Sequence, residues 1–121
     1  MEHVSARVLR WKAAWESRDV DAIVRMYEAD ATHESALVPS LYPEAGGTVL
    51  DGAEQIRDYV ARGIGRFTEL RFELVSVTES ASRAAIEYRR HSNIDGANPA
   101  RVLELVEWRG ALIMTVRVYH F

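Results

Sequence analysis

The feature that most constrains this chain is a change in the spacing of its apolar residues near residue 65. Before that point, apolar side chains recur at the three- and four-residue intervals of amphipathic helices. From residue 70 to residue 119 they alternate with polar side chains instead, which is typical of β-strands. Helices followed by a run of strands predict an α+β fold, in which the helices pack on one face of an antiparallel sheet.

The first two helices are predicted to form a hairpin. The first spans residues 3–17, and its apolar stripe consists of Val4, Val8, Trp11 and Trp15. A second, shorter helix follows, which either Ser17 or Asp19 can cap. The apolar face of this second helix consists of Ile23, Met26 and Tyr27.

A third helix is predicted after an apolar loop. Asp51 and Glu54 stand three positions apart before an apolar run, which is an Asp variant of the capping box. The helix ends near Gly63 or Gly65. The loop over residues 37–47 contains two prolines and two glycines but is unusually apolar, which suits a lid over a pocket.

The strands begin with a polar one over residues 30–37, and four antiparallel strands complete the chain as a meander. These four begin near Leu70, Ala84, Val102 and Leu112. The apolar alternation changes phase after Leu74, which predicts a β-bulge there. Turns are predicted at residues 95–96 and 109–110, where a glycine follows a polar residue.

The last two strands are apolar on both faces at mid-strand. In the strand over residues 102–108, Leu103 and Leu105 oppose Val102 and Val106. An antiparallel sheet with one face in water alternates cleanly, so we expect the outer face to be covered. In so short a chain a second subunit is the simplest cover, which predicts a homodimer through the outer sheet face.

Composition and charge exclude several classes of partner. A net charge of −3, with 27% charged residues of both signs interspersed, leaves no electrostatic footprint for nucleic acid or an anionic membrane. The absence of cysteine removes disulfides, thiolate catalysis and thiolate metal sites. Residues 1–15 lack the apolar core of a signal peptide, so we expect a cytoplasmic location.

Two segments resemble a known family: DVDAIVRMYEADAT at residues 19–32 and GAEQIRDY at residues 52–59. With the order of helices and strands, they resemble the ketosteroid-isomerase and SnoaL-like branch of the nuclear transport factor 2-like superfamily. The resemblance implies one domain over residues 1–121, a cystatin-like α+β cone. In it, a helix hairpin and a third helix pack on a strongly curved, mainly antiparallel sheet around a small-molecule pocket. The family holds isomerases, cyclases, epoxide hydrolases, dehydratases and non-catalytic adaptors, so the fold does not specify a function.

The catalytic positions implied by the resemblance carry different residues here. Ketosteroid isomerases use an Asp base on the first strand, with a Tyr and a protonated Asp holding the oxyanion. The matching positions are Ser35, Trp11 and Glu104, in that order. Serine cannot replace the base unaided, and an indole N–H donates but cannot accept, so steroid isomerase activity is not expected. Limonene-type epoxide hydrolase activity is not expected either, because Val118 matches the Asp that it needs.

His33 and Glu104 are the candidates for catalysis. The resemblance implies that the strand face shared by His33 and Ser35 looks into the pocket, where a His can act as general acid or base near neutral pH. Glu104 lies among apolar residues on its own strand face, and burial there would raise its carboxyl pKa. The alternatives are a His33 at the pocket rim or satisfied in the core, and a Glu104 in solvent or at an interface.

Six residues are candidates for ligand binding: Trp11, Ser35, Tyr59, Tyr88, Arg90 and Tyr119. The aromatic ones could line one cavity, although aromatic residues at such spacing are most often core. We expect Trp15, by contrast, to be structural packing. Arg90 follows Tyr88 on the same strand face and could pair with Glu104 or hold a substrate carboxylate, with a surface salt bridge as the alternative.

No metal site and no cofactor are predicted, because the four histidines lack metal-ligand spacing. Two functions stay open. The first is an enzyme that acts on a small, largely apolar organic molecule by isomerisation, cyclisation or dehydration, with His33 as base and Glu104 or Tyr88 as proton donor. The second is a non-catalytic ligand-binding or dimerisation module of the same fold.

Overall fold

The computed structural model describes residues 3–121. The helices are α1 (Ala6–Ser17), α2 (Val20–Val24), α3 (Val38–Leu41) and α4 (Ala53–Ile64), with a 3₁₀ helix at Pro43–Ala45. The strands are β1 (Tyr27–Ser35), β2 (Val49–Asp51), β3 (Leu70–Glu79), β4 (Arg83–Ser92), β5 (Ala100–Arg109) and β6 (Leu112–His120). Within the described part of the chain, no helix has the length and apolar character needed to cross a membrane.

The six strands form one curved sheet in the order β2-β1-β6-β5-β4-β3. The predicted antiparallel meander is confirmed, since β3, β4, β5 and β6 pair in sequence order. The first strand β1 lies parallel to β6, and the short β2 forms the edge beside it. The register of β3 against β4 shifts between Leu74 and Ser76, where the bulge was predicted. Such irregularities increase local twist and bend, which helps the sheet to curve around the helices.

The predicted helix hairpin is present, and polar side chains cap both of its helices. The Ser5 hydroxyl accepts a hydrogen bond from the Val8 N–H at 3.3 Å, so α1 begins at Ala6 rather than at residue 3. Arg18 ends α1 with a left-handed backbone conformation, at φ 58°. The carboxylate of Asp19 then accepts from the Ala22 N–H at 3.2 Å and starts α2.

Three local predictions were wrong. The second helix ends at Val24, and Tyr27 is the first residue of β1 because its ring packs in the core from the strand. The strand β2 was missed, since three residues are too few to show a period. The capping box is absent: the N-cap of α4 is Gly52 at φ 93°, and the Asp51 N–H donates to the Gln55 side chain at 2.8 Å.

The structure decides which face of β5 looks inward. Glu104 lies on the inner face with three apolar neighbours of the same strand, and all four side chains are buried. Leu103 and Leu105 lie on the opposite, outer face, where they are half-buried by neighbouring side chains. The homodimer expected through this outer face stays a prediction, because one chain alone does not test it.

The helix α1 is joined to the edge strand β3 by a charged side chain. The Glu16 carboxylate accepts a hydrogen bond from the Phe72 backbone N–H at 2.7 Å. The same carboxylate pairs with Lys12 one helical turn earlier, at 3.0 Å. This contact fixes α1 over the edge of the sheet, and it places the Phe72 ring beside the cavity described below.

Candidate functional site

A cavity of about 70 Å³ lies between α4 and the inner face of the sheet. A space of this size holds a few water molecules or the reactive end of a small organic molecule. The segment predicted as a lid lies against it, since Leu37 and Leu41 form part of its wall. The cavity lining includes polar side chains that could act on a ligand: His33, Ser35, Tyr59, Arg66, Tyr88, Arg90, Glu104 and His120.

Glu104 is the buried carboxyl group of this cavity, with 4% of its surface exposed. Its Oε2 accepts a short hydrogen bond from the Tyr88 hydroxyl, which is equally buried. Its Oε1 has no hydrogen-bond partner among residues 3–121. Burial raises the pKa of Glu104 to about 7, and the Tyr88 hydrogen bond opposes this change in part. At neutral pH the carboxyl group is therefore present in both protonation states.

His33 reaches the cavity from β1 and is 3% exposed. Burial lowers its pKa to about 4, with a smaller contribution from His120, so the imidazole is neutral at pH 7. Its Nδ1 lies 3.3 Å from the Tyr27 hydroxyl, whose own pKa burial raises well above the ordinary value. That hydroxyl keeps its proton and can donate a hydrogen bond to Nδ1, in which case the proton of the neutral ring is on Nε2. As the general acid or base expected near neutral pH, His33 would thus be a weaker base than an ordinary histidine.

Ser35 lies beside His33 on the same face of β1, as predicted. Its hydroxyl accepts from the Leu37 N–H at 3.1 Å and lies 3.4 Å from His120 Nε2. The strand register places Val118 between Ser35 and Glu104, so their backbones are two strand spacings, about 10 Å, apart. Ser35 and Glu104 therefore approach a ligand from two different sides.

Tyr59 completes the polar inner wall from α4. Its ring centroid lies 5.5 Å from that of His33, and the side chain is 7% exposed. Burial is the main cause that raises its pKa, so the phenol stays neutral near pH 7. Tyr59 forms part of the cavity wall, and its role in ligand binding stays a prediction.

Three basic side chains form the more exposed rim of the cavity: Arg66, Arg90 and His120. Arg90 does not pair with Glu104, as one prediction allowed, because Asp95 in the following turn holds its guanidinium with bonds of 2.8 and 2.9 Å. Burial lowers the pKa of His120, and the charges of Arg90 and Arg66 lower it further. The rim therefore carries two guanidinium groups, one of which is paired with Asp95.

Two predicted ligand residues lie outside the cavity lining. Trp11 is fully buried against the stacked rings of Phe72 and Tyr88, at centroid distances of 5.5 and 5.6 Å, and acts as core. Trp15, which was expected to be packing, does pack against the core, and it also lines the cavity because it stands one helical turn further along α1. Tyr119 is 45% exposed on the outer face of β6.

The sequence prediction missed some lining residues that a closer reading of strand alternation could have found. In β6, Val116 faces the core, so the alternation places Val118 and His120 on the same inner side and Tyr119 outside. Arg66 follows the end of α4, where no period remains, and the sequence offered no signal for it. No metal-binding group of three or more His, Asp or Glu side chains was found within residues 3–121.

The comparisons with known proteins concern the whole domain. The sequence model of the SnoaL-like domain family matches residues 8–118. No curated protein matches the sequence. Among solved structures, a SnoaL-like protein of unknown function from Burkholderia thailandensis E264 is 21% identical, with a TM-score of 0.77. That match covers 93% of this chain and 89% of the other.

Two further structures extend the likeness. A hypothetical protein with a ketosteroid isomerase-like fold from Catenulispora acidiphila DSM 44928, in complex with trimethylamine, is 22% identical over 97% of this chain and 86% of its own, with a TM-score of 0.75. A putative polyketide cyclase from Sinorhizobium meliloti is 15% identical over 96% and 95%, also with a TM-score of 0.75. At such identities these structures establish the fold and not the reaction. The family match spans most of the chain, and by it this protein belongs to the SnoaL-like domain family of the nuclear transport factor 2-like superfamily.

Proposed function

We propose that this protein is a cofactor-independent enzyme that isomerises, cyclises or dehydrates a small, largely apolar organic molecule, with Glu104 as the proton carrier. The observation that carries the proposal is the free Oε1 of Glu104, a buried carboxyl oxygen without a partner among the described residues. An unsatisfied buried oxygen is unfavourable unless a ligand or water completes it. A substrate C–H or O–H group at Oε1 would do so.

The proposed step is proton abstraction next to a carbonyl group. Ionised Glu104 takes the proton on Oε1, and the electron pair of the C–H bond moves to the carbonyl oxygen as an enolate. The same carboxyl group then returns the proton to another atom of the substrate. A pKa of about 7 suits both halves of the step, since a general acid–base group works best with a pKa near the working pH.

The neighbouring hydroxyl and imidazole groups support this step. Tyr88 holds the carboxyl group through Oε2, which leaves Oε1 to the substrate. Neutral His33, with its proton on Nε2, supplies a hydrogen-bond donor for the developing negative charge on oxygen. We therefore assign His33 the part of the donor and transfer the part of the base, predicted for it from the sequence, to Glu104.

The alternative is a binding module without turnover, and one observation favours it. Ser35 occupies the position that the resemblance assigns to the catalytic base, and its hydroxyl is already engaged with the Leu37 N–H and the His120 ring. In that case Glu104 and Trp15, whose indole N–H is likewise buried without a partner in the described chain, would serve as an acceptor and a donor for a resident ligand.

Exchange of carbon-bound hydrogen in D₂O tests the enzyme without knowledge of the natural substrate. The protein is incubated with small 1,3-diketones and β,γ-unsaturated ketones, and exchange at the acidic carbon is followed by proton NMR. We expect the native protein to accelerate exchange of at least one compound, and Glu104→Gln to slow it by about 10²-fold or more.

The matched control is Glu107→Gln on the same strand. Glu107 pairs with the exposed side chain of Arg83, outside the cavity. Glu107→Gln therefore removes one carboxylate, as Glu104→Gln does, without changing the cavity. Exchange should persist in this control. Equal exchange in the native protein and Glu104→Gln would exclude Glu104 as the proton carrier, and the absence of exchange for every compound would favour the binding module.

A further inference from the structure

The rim of the cavity holds two arginine side chains on one aromatic ring. The guanidinium carbons of Arg66 and Arg90 lie 5.1 and 5.3 Å from the centroid of Phe67, which is itself a buried lining residue. Contacts of this kind hold a guanidinium in place through the ring quadrupole. The two side chains come from different parts of the fold, the end of α4 and the strand β4.

One arginine forms an ion pair with Asp95, whereas the other interacts with the same carboxylate only at longer range. Arg90 forms a two-bond ion pair with Asp95. Arg66 donates from Nε to the backbone oxygen of Gly63 at 3.2 Å, and it has no ion pair within residues 3–121. A guanidinium carries five N–H donors, so those at its two terminal nitrogens remain for another acceptor.

No other carboxyl group of the lining neutralises this charge. Glu104 is the acidic residue of the cavity wall, and it is bound to Tyr88 at the inner end. His120, the third rim side chain, lies 3.4 Å from the Ser35 hydroxyl and carries no negative charge, because an imidazole is either neutral or cationic. The cavity is thus polarised, with a cation at the rim and a proton-carrying acid inside.

We propose that the substrate is a small carboxylate, whose anionic group binds the terminal nitrogens of Arg66 while its apolar body lies in the cavity toward Glu104. This inference rests on the proposed function for the reaction at Glu104, but the binding of a carboxylate does not require turnover. A carboxylate fits the planar guanidinium with two parallel hydrogen bonds. The carboxylate also fixes the orientation of the ligand, because an anionic group placed beside ionised Glu104 would be repelled.

The polarity also accounts for how a largely apolar molecule could be selected. The walls between rim and acid are mostly aliphatic and aromatic, from residues such as Leu41, Ile64 and Phe72. An apolar body gains from contact with these walls, while the anionic group keeps partial access to water at the rim. The proposed ligand therefore has one charged end and one apolar, reactive end.

Paired probes test this inference by binding alone. Acetate and benzoate are titrated against acetamide and benzamide, which have nearly the same shape without the charge. The readout is the indole N–H resonance of Trp15, which lines the cavity, with Trp108, a core residue that is not part of the lining, as internal reference. We expect each carboxylate to bind about tenfold or more tightly than its amide, and added salt to weaken the carboxylate alone.

Arg66→Gln should abolish this preference without unfolding the protein, because Arg66 is a partly exposed side chain. The matched control is Arg89→Gln, which removes the same charge from the outer face of β4 and should keep the preference. Carboxylate preference that survives in Arg66→Gln, equal binding of acid and amide, or no shift of Trp15 with any carboxylate would each overturn the inference. Equal binding of acid and amide would leave the hydrogen-exchange test of Glu104 unaffected, so the two proposals fail separately.

Discussion

The opposite pKa changes of Glu104 and His33 predict opposite effects of pH on stability. The pKa of Glu104 rises from 4.5 to about 7 on folding, and that of His33 falls from 6.5 to about 4. Both side chains are almost fully buried, so solvent screening does not reduce these effects. Each pH unit between the folded and unfolded pKa corresponds to about 1.4 kcal/mol, which gives about 3 kcal/mol for each residue.

The signs follow from which state binds the proton. Between pH 4.5 and 7 the folded state holds a proton on Glu104 that the unfolded state has lost, so stability falls as pH rises. Between pH 4 and 6.5 the unfolded state holds a proton on His33 that the folded state lacks, so stability rises with pH. The two contributions nearly cancel from pH 4.5 to 6.5.

Single substitutions should separate the two slopes. The free energy of unfolding is measured by urea denaturation across this pH range for the native protein, Glu104→Gln and His33→Gln. Relative to the native protein, Glu104→Gln should gain about 3 kcal/mol between pH 4.5 and 7, and His33→Gln should lose about 3 kcal/mol between pH 4 and 6.5. Glu107→Gln is the surface control. A difference between Glu104→Gln and the native protein that does not change with pH would refute the raised pKa.

Two further predictions concern packing and assembly. Trp11→Ala should lower the free energy of unfolding by about 3–5 kcal/mol because Trp11 is fully buried. Trp15→Ala should cost less stability and weaken ligand binding more, because Trp15 lines the cavity. Urea melts measure the stability and the benzoate titration measures the binding; an equal stability loss for the two variants would contradict the assignment of Trp11 to the core and Trp15 to the cavity. Sedimentation equilibrium should give a mass near twice 13.7 kDa for the native protein, and Leu103→Asp on the outer face should dissociate or unfold it; a persistent monomer would exclude the dimer.

The periodic parts of the sequence predicted the fold well. The helix stripe with Trp11 and the alternation of β4 and β5 place their residues correctly, because each side chain must face either core or solvent. This alternation does not tell which residue along an apolar stripe reaches the cavity. Trp11 and Trp15 share one face of α1, and only the packing of that helix against Phe72 decides which of them reaches the cavity.

The sequence predicted part of the candidate site on the strands, although it misplaced Tyr119 on β6, and it gave no signal for the residue that follows the end of α4. The resemblance predicted an inward face for His33 and Ser35, and strand alternation placed Tyr88 on the same face as Ile86, whereas the sequence left open whether Glu104 faces inward; all four of His33, Ser35, Tyr88 and Glu104 line the cavity. The pKa of His33 could not be foreseen, since it depends on burial by residues distant in sequence. Arg66 could not be found either, because tertiary structure alone places it at the rim.

The contact between Glu16 and the Phe72 N–H also bears on the solubility of the folded protein. The strand β3 forms one border of the sheet, and an unpaired N–H at such a border is a template on which another chain can add a strand. Here the carboxylate of a packed helix already occupies that donor and places a negative charge beside it. A strand from another molecule would have to displace both the hydrogen bond and α1. The hydrogen bond between Glu16 and Phe72 that fixes α1 thus also disfavours aggregation through the edge strand β3.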